Sequence, residues 1–540
     1  MKRVISLLAA MVLCLSTLAG CGNDAATSGG DTGDTGTQSG TNAGTQASDT
    51  DVFNDITEPV TLNVVLKTNP VNGDIPEMWF WDEIERLSKI KFEVSAIEAS
   101  VFHDRKTLMI ISDQLPDMFL GYAEFDSGEV MKYGEEGIFV DLKDQIPNMK
   151  NLQKVLAIEP NTLKGATTPD GSIYSLPCFN TRAQAEGDRI FINTTWLDNL
   201  GLSMPKTMEE FRNVLTAFRD RDPDGDGVQN TIPISGVGYS ILPLFRSAYG
   251  FVDDFDVIDG KVKYFPMEDS YIDYFDTLNQ FYTDNLIDHE MISQTDDQFK
   301  TKARAMRVGV FAYSSAYDAV GDEKEKWSQY EAMDPITAVD GVDAKFGLDF
   351  GIYEHCAIIT KANQHLKESL AFLDFLYTET GTTMLRVGPE KGKWDGEGGY
   401  TLNSEGGAVV EVPSNYESEW LFVNAVTPCI NILPCYMPSQ VMMASKGDEK
   451  AQNLSAQLDK IFQNGRYKMP EFMYTSEEAA KINEILPYVQ SDVQAKIPEY
   501  IIGVKDVQEI VNDQAQWKKM GIEEVIQIRQ AGYDRYQAAE

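Results

Sequence analysis

The alternation that starts at Val60 constrains the fold of this chain more than any other feature. Val60 to Leu66 is a β-branched apolar run ending at Thr68-Asn69-Pro70, a strand that runs into a loop. Met78 to Ile90 carries Met78, Trp81, Ile84 and Leu87 at helical spacing, and Ile90 to Val94 alternates as a second strand. Leu108 to Ile111 continues a helix, and Leu115 to Leu120 is a short strand entered through Pro116. Strand, helix, strand, helix, strand builds a parallel sheet faced by helices, and ligands gather at the carboxyl ends of such strands. Glu136 to Leu142 reads as a loop-strand element and Pro169 to Pro177 as a turn-strand hairpin. A second region opens with the strand Arg189 to Asn193 and a helix between Thr207 and Phe218. Thr207 is its N-cap, Glu209 and Glu210 occupy the first turn, and Met208, Phe211, Leu215 and Phe218 share one face. The pattern continues through Tyr271 to Leu286, strands near Val308 to Phe311 and Ala357 to Thr360, and a helix from Leu366 to Tyr377, and the last hundred residues are mostly helical. The pattern predicts an α/β protein with two sheet-centred lobes and a helical tail.

About 480 residues follow Val60, too many for one ordinary core. The chain carries 84 acidic against 46 basic residues, a formal net charge of −38. That balance repels nucleic acid and anionic lipid, and suits neutral or cationic ligands and cation binding. After Leu18 no apolar run approaches the length of a membrane span. The histidines His103, His289, His355 and His365 form no HxxxH or HExxH, and no CxxC occurs, which argues against zinc. Beyond residue 21 there are Cys178, Cys356, Cys429 and Cys435. Bridges between Cys178 and Cys356 and between Cys429 and Cys435 are open readings, as are four buried free thiols.

The first residues describe export. Lys2 and Arg3 precede an apolar stretch from Val4 to Leu18, followed by Leu18-Ala19-Gly20-Cys21. The last four resemble the lipobox of bacterial lipoproteins, which implies a signal peptide over 1–20, cleavage before Cys21 and acylation there; the alternative is an ordinary cleaved signal with a chance cysteine. Residues 21–58 are rich in Gly, Thr, Ser, Asp and Asn with almost no apolar side chains, so they are expected to form a disordered linker spanning roughly 30 to 35 Å. Such a chain works outside the cytoplasm, tethered to the bacterial cell membrane through lipid on Cys21.

The succession LPDMF, EEGIFVDL, PDGSIYSLP, INTTWLDNLGLSMPKTMEEFRNVLTAF, DPDGDGVQNTIPISG, NQFYTDNLIDHE, AIITKANQHLKESLAFLDFLYTETG and MGIEEVIQIRQAGYDRY resembles the extracellular solute-binding lipoproteins of ATP-driven (ABC) importers. More narrowly it is similar to their large carbohydrate-binding branch, which includes alginate-oligosaccharide binders. The resemblance runs in order over the whole chain after the linker. It implies a type II periplasmic-binding-protein-like fold of two α/β lobes closing on a ligand, an oligosaccharide or other small carbohydrate cargo, and ABC permease subunits as partners. The lobes are expected over 59–178, with part of the later chain returning there, and mostly over 179–385, followed by cleft loops and a helical region over 386–540. An exported carbohydrate lyase or hydrolase is the rival class; no GxSxG, HExxH or phosphate loop supports it, and no enzymatic activity is expected. A lipoprotein that passes a sugar signal to a sensor kinase is a third reading that sequence does not separate from the importer role.

Asp222-Pro-Asp224-Gly-Asp226-Gly227-Val228-Gln-Asn230 places carboxylates at alternate positions around glycine turns, as a calcium loop does. Asp222, Asp224, Asp226, the Val228 carbonyl, Asn230 and Thr231 are the candidate ligands. Position 12, where an EF-hand carries Glu, is Pro233, and the adjacent acids with which the resembling family ends its loop are here Asn230 and Thr231. A weak structural Ca2+ site, roughly in the 0.1 to 1 mM range, is therefore expected; a solvated acidic turn is the plain alternative. For the sugar, flat apolar faces beside amide or carboxylate groups at strand ends are required. These are Asn69, Trp79 and Trp81; Tyr122 and Glu124; Asn180; Tyr239; Tyr313; and Trp394 with Glu390 and Tyr400 nearby. Trp196 is expected in the core.

Overall fold

The computed structural model describes residues 48–181, 189–403, 407–438 and 449–539, and residues 48–540 cluster as one compact unit. Within it lie two main sheets. The first is built from β1 (Val60–Thr68), β2 (Ile90–Glu98), β3 (Met118–Leu120) and β4 (Leu176–Asn180). The second contains β5 (Arg189–Asn193), β6 (Ile232–Ser235), β7 (Val308–Tyr313) and β8 (Tyr330–Ala332). Two late strands, β9 (Ile352–Ile359) and β10 (Tyr436–Met437), return to the first sheet, whose order is β10-β4-β9-β3-β1-β2.

β1 pairs parallel with β2 and β3, while β9 runs antiparallel to both β3 and β4, and β10 runs parallel to β4. The carboxyl ends of β1, β2, β3, β4 and β10 therefore share one edge with the amino end of β9. Alternation buries both faces: Leu62, Val64, Leu66, Met118 and Leu120 enter one core, and Val65, Phe119 and Ile358 the other. The second sheet is ordered β8-β5-β7-β6, with β6 parallel to β7 and β5 antiparallel to it. Thr207 caps the helix Met208–Asp220 through a reciprocal capping box with Glu210, and Phe211, Leu215 and Phe218 sink into the second core beside Trp196, which is buried as expected. The tail helices Ser476–Ile501, Ile510–Met520 and Ile522–Ala538 add Val489, Trp517 and Val525 to that same core.

One expected division shifts. The linker was expected to run to residue 58, but Ser48 caps a 3-10 turn over Asp49–Phe53, and Phe53 is buried with its ring 5.0 Å from that of Phe375. Asp49 accepts hydrogen bonds from the backbone N–H and hydroxyl of Thr380. Phe53 and Ile56 supply apolar surface that the Gly/Thr-rich stretch before them lacks, so these residues belong to the folded body. Part of the later chain lies in the first core: β9 and the helix Leu366–Leu376. Residues 1–47, including Cys21 and the expected signal peptide, lie outside the described residues.

Phe53→Ala is expected to destabilise the body by about 3 kcal/mol, a buried aromatic truncation, read as a lower urea midpoint with the same denaturant slope. An unchanged midpoint would return residues 48–58 to the linker.

Candidate ligand-binding site

The shared strand-end edge of the first sheet gathers unpartnered polar groups around an aromatic pair. Gly121 follows β3 with φ of +130°, and its N–H donates to Cys356 O at 2.8 Å; a Cβ there would meet Glu124 Oε1 at 2.8 Å. Tyr122 N–H donates to Asn431 O, and the half-exposed Tyr122 ring meets Tyr353 edge-on at 5.0 Å. Beside it Glu124 is 2% exposed, and neither carboxylate oxygen has a hydrogen-bond partner. Lys67 Nζ stands 3.9 Å away. Burial pushes the Glu124 carboxyl up to about 7 against the pull of Lys67 and Lys106. Asn431 Nδ2 donates to Lys67 O, leaving its buried Oδ1 without a partner, and Asn72 Oδ1 accepts from Asn69 N–H while its Nδ2 has none. Buried polar groups are ordinarily satisfied, so this edge is poised for hydrogen bonds it does not make.

From Tyr353 the edge continues into the region where segments pass between the sheets. β9 carries a bulge between Tyr353 and Ala357, with His355 at φ of +60°. His355 is held between Ser175 Oγ, 2.7 Å from Nδ1, and Ser127 Oγ, 3.1 Å from Nε2. Burial pushes its pKa down to about 4, so the ring is a neutral pin. The bulge leaves Glu354 lining a cavity of about 120 Å³ with Asn161, Asp253, Asp349, Lys468, Glu471 and Tyr536. Desolvation, then the charge of Glu471, pushes Glu354 up to about 8. Phe350 stacks on half-exposed Tyr467 at 4.7 Å, adding a second aromatic face.

On the second sheet, Tyr239 and Tyr313 both lie at the carboxyl ends of the parallel pair β6 and β7. Tyr313 hydroxyl donates to Asp296 Oδ1 at 2.7 Å and lines a separate, open cavity of about 660 Å³ with Lys300, Arg304, Tyr317 and Lys326. Tyr239 packs half-buried against the second core.

Other expected cleft residues have partners of their own. Trp81 is 4% exposed, its indole N–H donating to Ile75 O and its ring against Phe80 and Phe92, so its helix turns it into the core. Trp79 and Trp394 meet edge-on at 6.4 Å in a small apolar cluster with Phe422 and Val426, and the Trp394 N–H is tied to Gly398 O. Asn180 is buried at the carboxyl end of β4, on the same strand-end edge as Tyr122. Glu390 pairs with Lys393 at 2.7 Å. Sequence reasoning missed Tyr353, Glu354, Asn431, Phe350, Tyr467, Glu471 and Tyr536; the run Phe350-Gly-Ile-Tyr353-Glu354 just before the recognised strand was the available signal. Neither weighed disulfide forms: all four cysteines are free and buried, and the closest thiols are Cys178 and Cys435 at 3.4 Å, brought together by β4 and β10.

The acidic loop lies between the helix Met208–Asp220 and β6. Asp222, Asp224 and Asp226 offer oxygens all within 4.8 Å of one another. Gly225 and Gly227, at φ of +70° and +78°, make the turns, and Gly227 N–H donates to Asp222. Asp224 Oδ1 and Asn230 Oδ1 are buried without partners, and the Asp224 carboxyl is raised by burial and by its acidic neighbours. These acceptors fit a hard cation. The Thr231 hydroxyl donates to Phe218 O at 2.7 Å, which leaves its oxygen lone pairs as acceptors. The Val228 carbonyl accepts from Asn230 N–H.

Residues 78–383 match the family of bacterial extracellular solute-binding proteins. The chain belongs to that family. The fructooligosaccharide ABC transporter substrate-binding protein FusA of Streptococcus pneumoniae is 24% identical over 503 residues, covering 89% of this chain and 92% of FusA. The crystal structure of an extracellular solute-binding protein from Bifidobacterium longum subsp. infantis superposes with a TM-score of 0.76 at 23% identity, covering 89% of this chain and 98% of that one. The structure of a FusA EF-hand mutant in complex with fructo-nystose superposes with a TM-score of 0.71 at 22% identity, covering 89% of this chain and all of that one. The two-lobe fold of the family is thus the fold of this chain.

Glu354→Gln supplies a pH test. A carboxyl raised from about 4.5 to about 8 in the fold contributes stability that is lost as pH rises between those values. The variant is expected to match the parent melting temperature near pH 4.5 and to exceed it above pH 8; equal curves at both ends would contradict the buried site.

Proposed function

We propose that this chain is the membrane-anchored solute-binding protein of an ABC importer, and that it binds an oligosaccharide between its lobes and hands it to a permease. The observation that carries the reading is the half-exposed Tyr122–Tyr353 pair set among the unpartnered Glu124, Asn431 and Asn72 groups at the strand-end edge. Aromatic faces cover the C–H surface of a pyranose or furanose, and amides and carboxylates pair its hydroxyls. Family membership and the fructooligosaccharide-binding relative support the same cargo class. Tyr239 and Tyr313 would meet the ligand from the second lobe. A ligand touching both lobes binds the closed form better than the open one, and the population shifts by that difference. No step is covalent. Cys21 would carry the lipid anchor and residues 22–47 the tether.

Calcium would be held by Asp222, Asp224, Asp226 and Asn230, supplying charge that offsets the mutual repulsion of the three carboxylates. An EF-hand in the relative supports this assignment. The loop lies between the helix Met208–Asp220 and β6, and Arg307 Nε donates to Asn230 O from the start of β7, so its role is to brace the second lobe.

Tyr122→Ala and Tyr353→Ala are each expected to weaken saccharide binding about fivefold or more, a stacked ring being worth on the order of 1 kcal/mol or more; titration calorimetry showing unchanged affinity in both would remove the pair from the cleft. Chelation is expected to lower the melting temperature by several degrees, reversed by added calcium. A melting curve indifferent to chelator would dismiss the metal.

A further inference from the structure

We propose that the ligand is an uncharged saccharide and that the acid-lined base of the cleft excludes uronates; this rests on the carbohydrate-binding reading above. Four carboxylates, Asp253, Asp349, Glu354 and Glu471, line the same cavity of about 120 Å³, and the lining holds one lysine, Lys468. Lys468 is committed to Asp349 at 3.1 Å. Asp253 shares Arg246 at 3.7 Å, but that guanidinium is held closer by Asp254, at 2.6 Å. Lys164 lies over the Tyr536 ring at 5.5 Å. Glu354 and Glu471 have no ion pair among the described residues, and Glu124, at the neighbouring edge, makes no hydrogen bond through its carboxylate.

A ligand carboxylate placed here would face the unpaired Glu471 beside Asp253 and Asp349, with a single lysine among them and, among the described residues, no arginine fork lining the cavity to receive it. Like charges in a partly desolvated site repel far more than in water. A hydroxyl, by contrast, donates to each carboxylate at no electrostatic cost. The Glu354 carboxyl, raised to about 8, is protonated at neutral pH, so it adds no repulsion of its own and instead donates to a ring or hydroxyl oxygen. The aromatic faces of Tyr122, Tyr353, Phe350, Tyr467 and Tyr536 serve uncharged and acidic sugars alike, so the carboxylates decide between them.

The test titrates the full-length mature chain by calorimetry with short fructo-, malto-, xylo- and galacto-oligosaccharides, and with oligogalacturonate and alginate oligomers. At least one uncharged oligosaccharide is expected to saturate, and both oligouronates to bind at least about a hundredfold more weakly. The uncharged ligand's affinity should hold between about 0.02 M and about 0.5 M salt, while any residual uronate binding strengthens as screening rises. In E354Q/E471Q the ratio of uronate to uncharged affinity should move toward unity by about tenfold. An oligouronate that matches or exceeds every uncharged sugar overturns the inference and leaves the carbohydrate reading standing, as does a ratio that neither salt nor the double variant moves. If no saccharide of either kind binds, the carbohydrate reading itself fails.

Discussion

The insertion of β9 between β3 and β4 is the constraint on which the molecule depends. A strand from beyond residue 350 completes a sheet begun at Val60, so the first lobe cannot close until the second has been traversed. Its antiparallel direction matters as much as its place. Because β9 runs against its neighbours, its first residues emerge where β3 and β4 end, and one edge receives side chains from distant stretches of chain. The bulge at His355 then aims Tyr353 and Glu354. The neutral imidazole between Ser175 and Ser127 fixes that bulge from the first lobe's own elements, so packing and aiming are one interaction.

The edge so formed combines two environments that a saccharide requires. Around Tyr122 there are buried acceptors and amide groups with unfilled hydrogen-bonding capacity, a condition that costs free energy until a partner arrives. Toward Glu354 and Glu471 the lining turns acidic and borders the segments that pass between the sheets. The same burial that makes Glu354 reluctant to ionise makes it sensitive to any charge brought near it. On the proposed reading, recognition and discrimination come from neighbouring groups on one surface.

Much of this was legible in local pattern. The period-two run of β1, the capped helix after Thr207 and the Asp-Gly loop depend on residues close in sequence, and their chemistry declares itself there. Of the expected cleft residues, Tyr122 and Glu124 stand at the first strand-end edge and Tyr313 lines the second lobe's open cavity, because a position just after a buried strand fixes where a residue emerges. Trp81 misled because an amphipathic helix and a cleft rim both ask for aromatics, and only Phe92 on the next strand decides between them. Tyr353, Asn431 and Glu471 could not be found that way: each reaches the site by long-range pairing, through β9, the loop before β10 and the segment after Tyr467. The cysteines fail for the same reason, since Cys178 and Cys435 are neighbours only once β10 lies beside β4.

The tail helices carry a mechanical consequence. Ser476–Ile501 contributes to the second core, yet Ser476 hydroxyl donates to Glu135 at 2.5 Å on the first lobe's helix Ser127–Glu135, and Tyr536 reaches the inter-sheet cavity. Two bodies joined only by parallel straps can twist as well as flex. The tail adds a third connection, made by packing rather than by the course of the chain, so separating the lobes means breaking side-chain contacts as well as bending the straps.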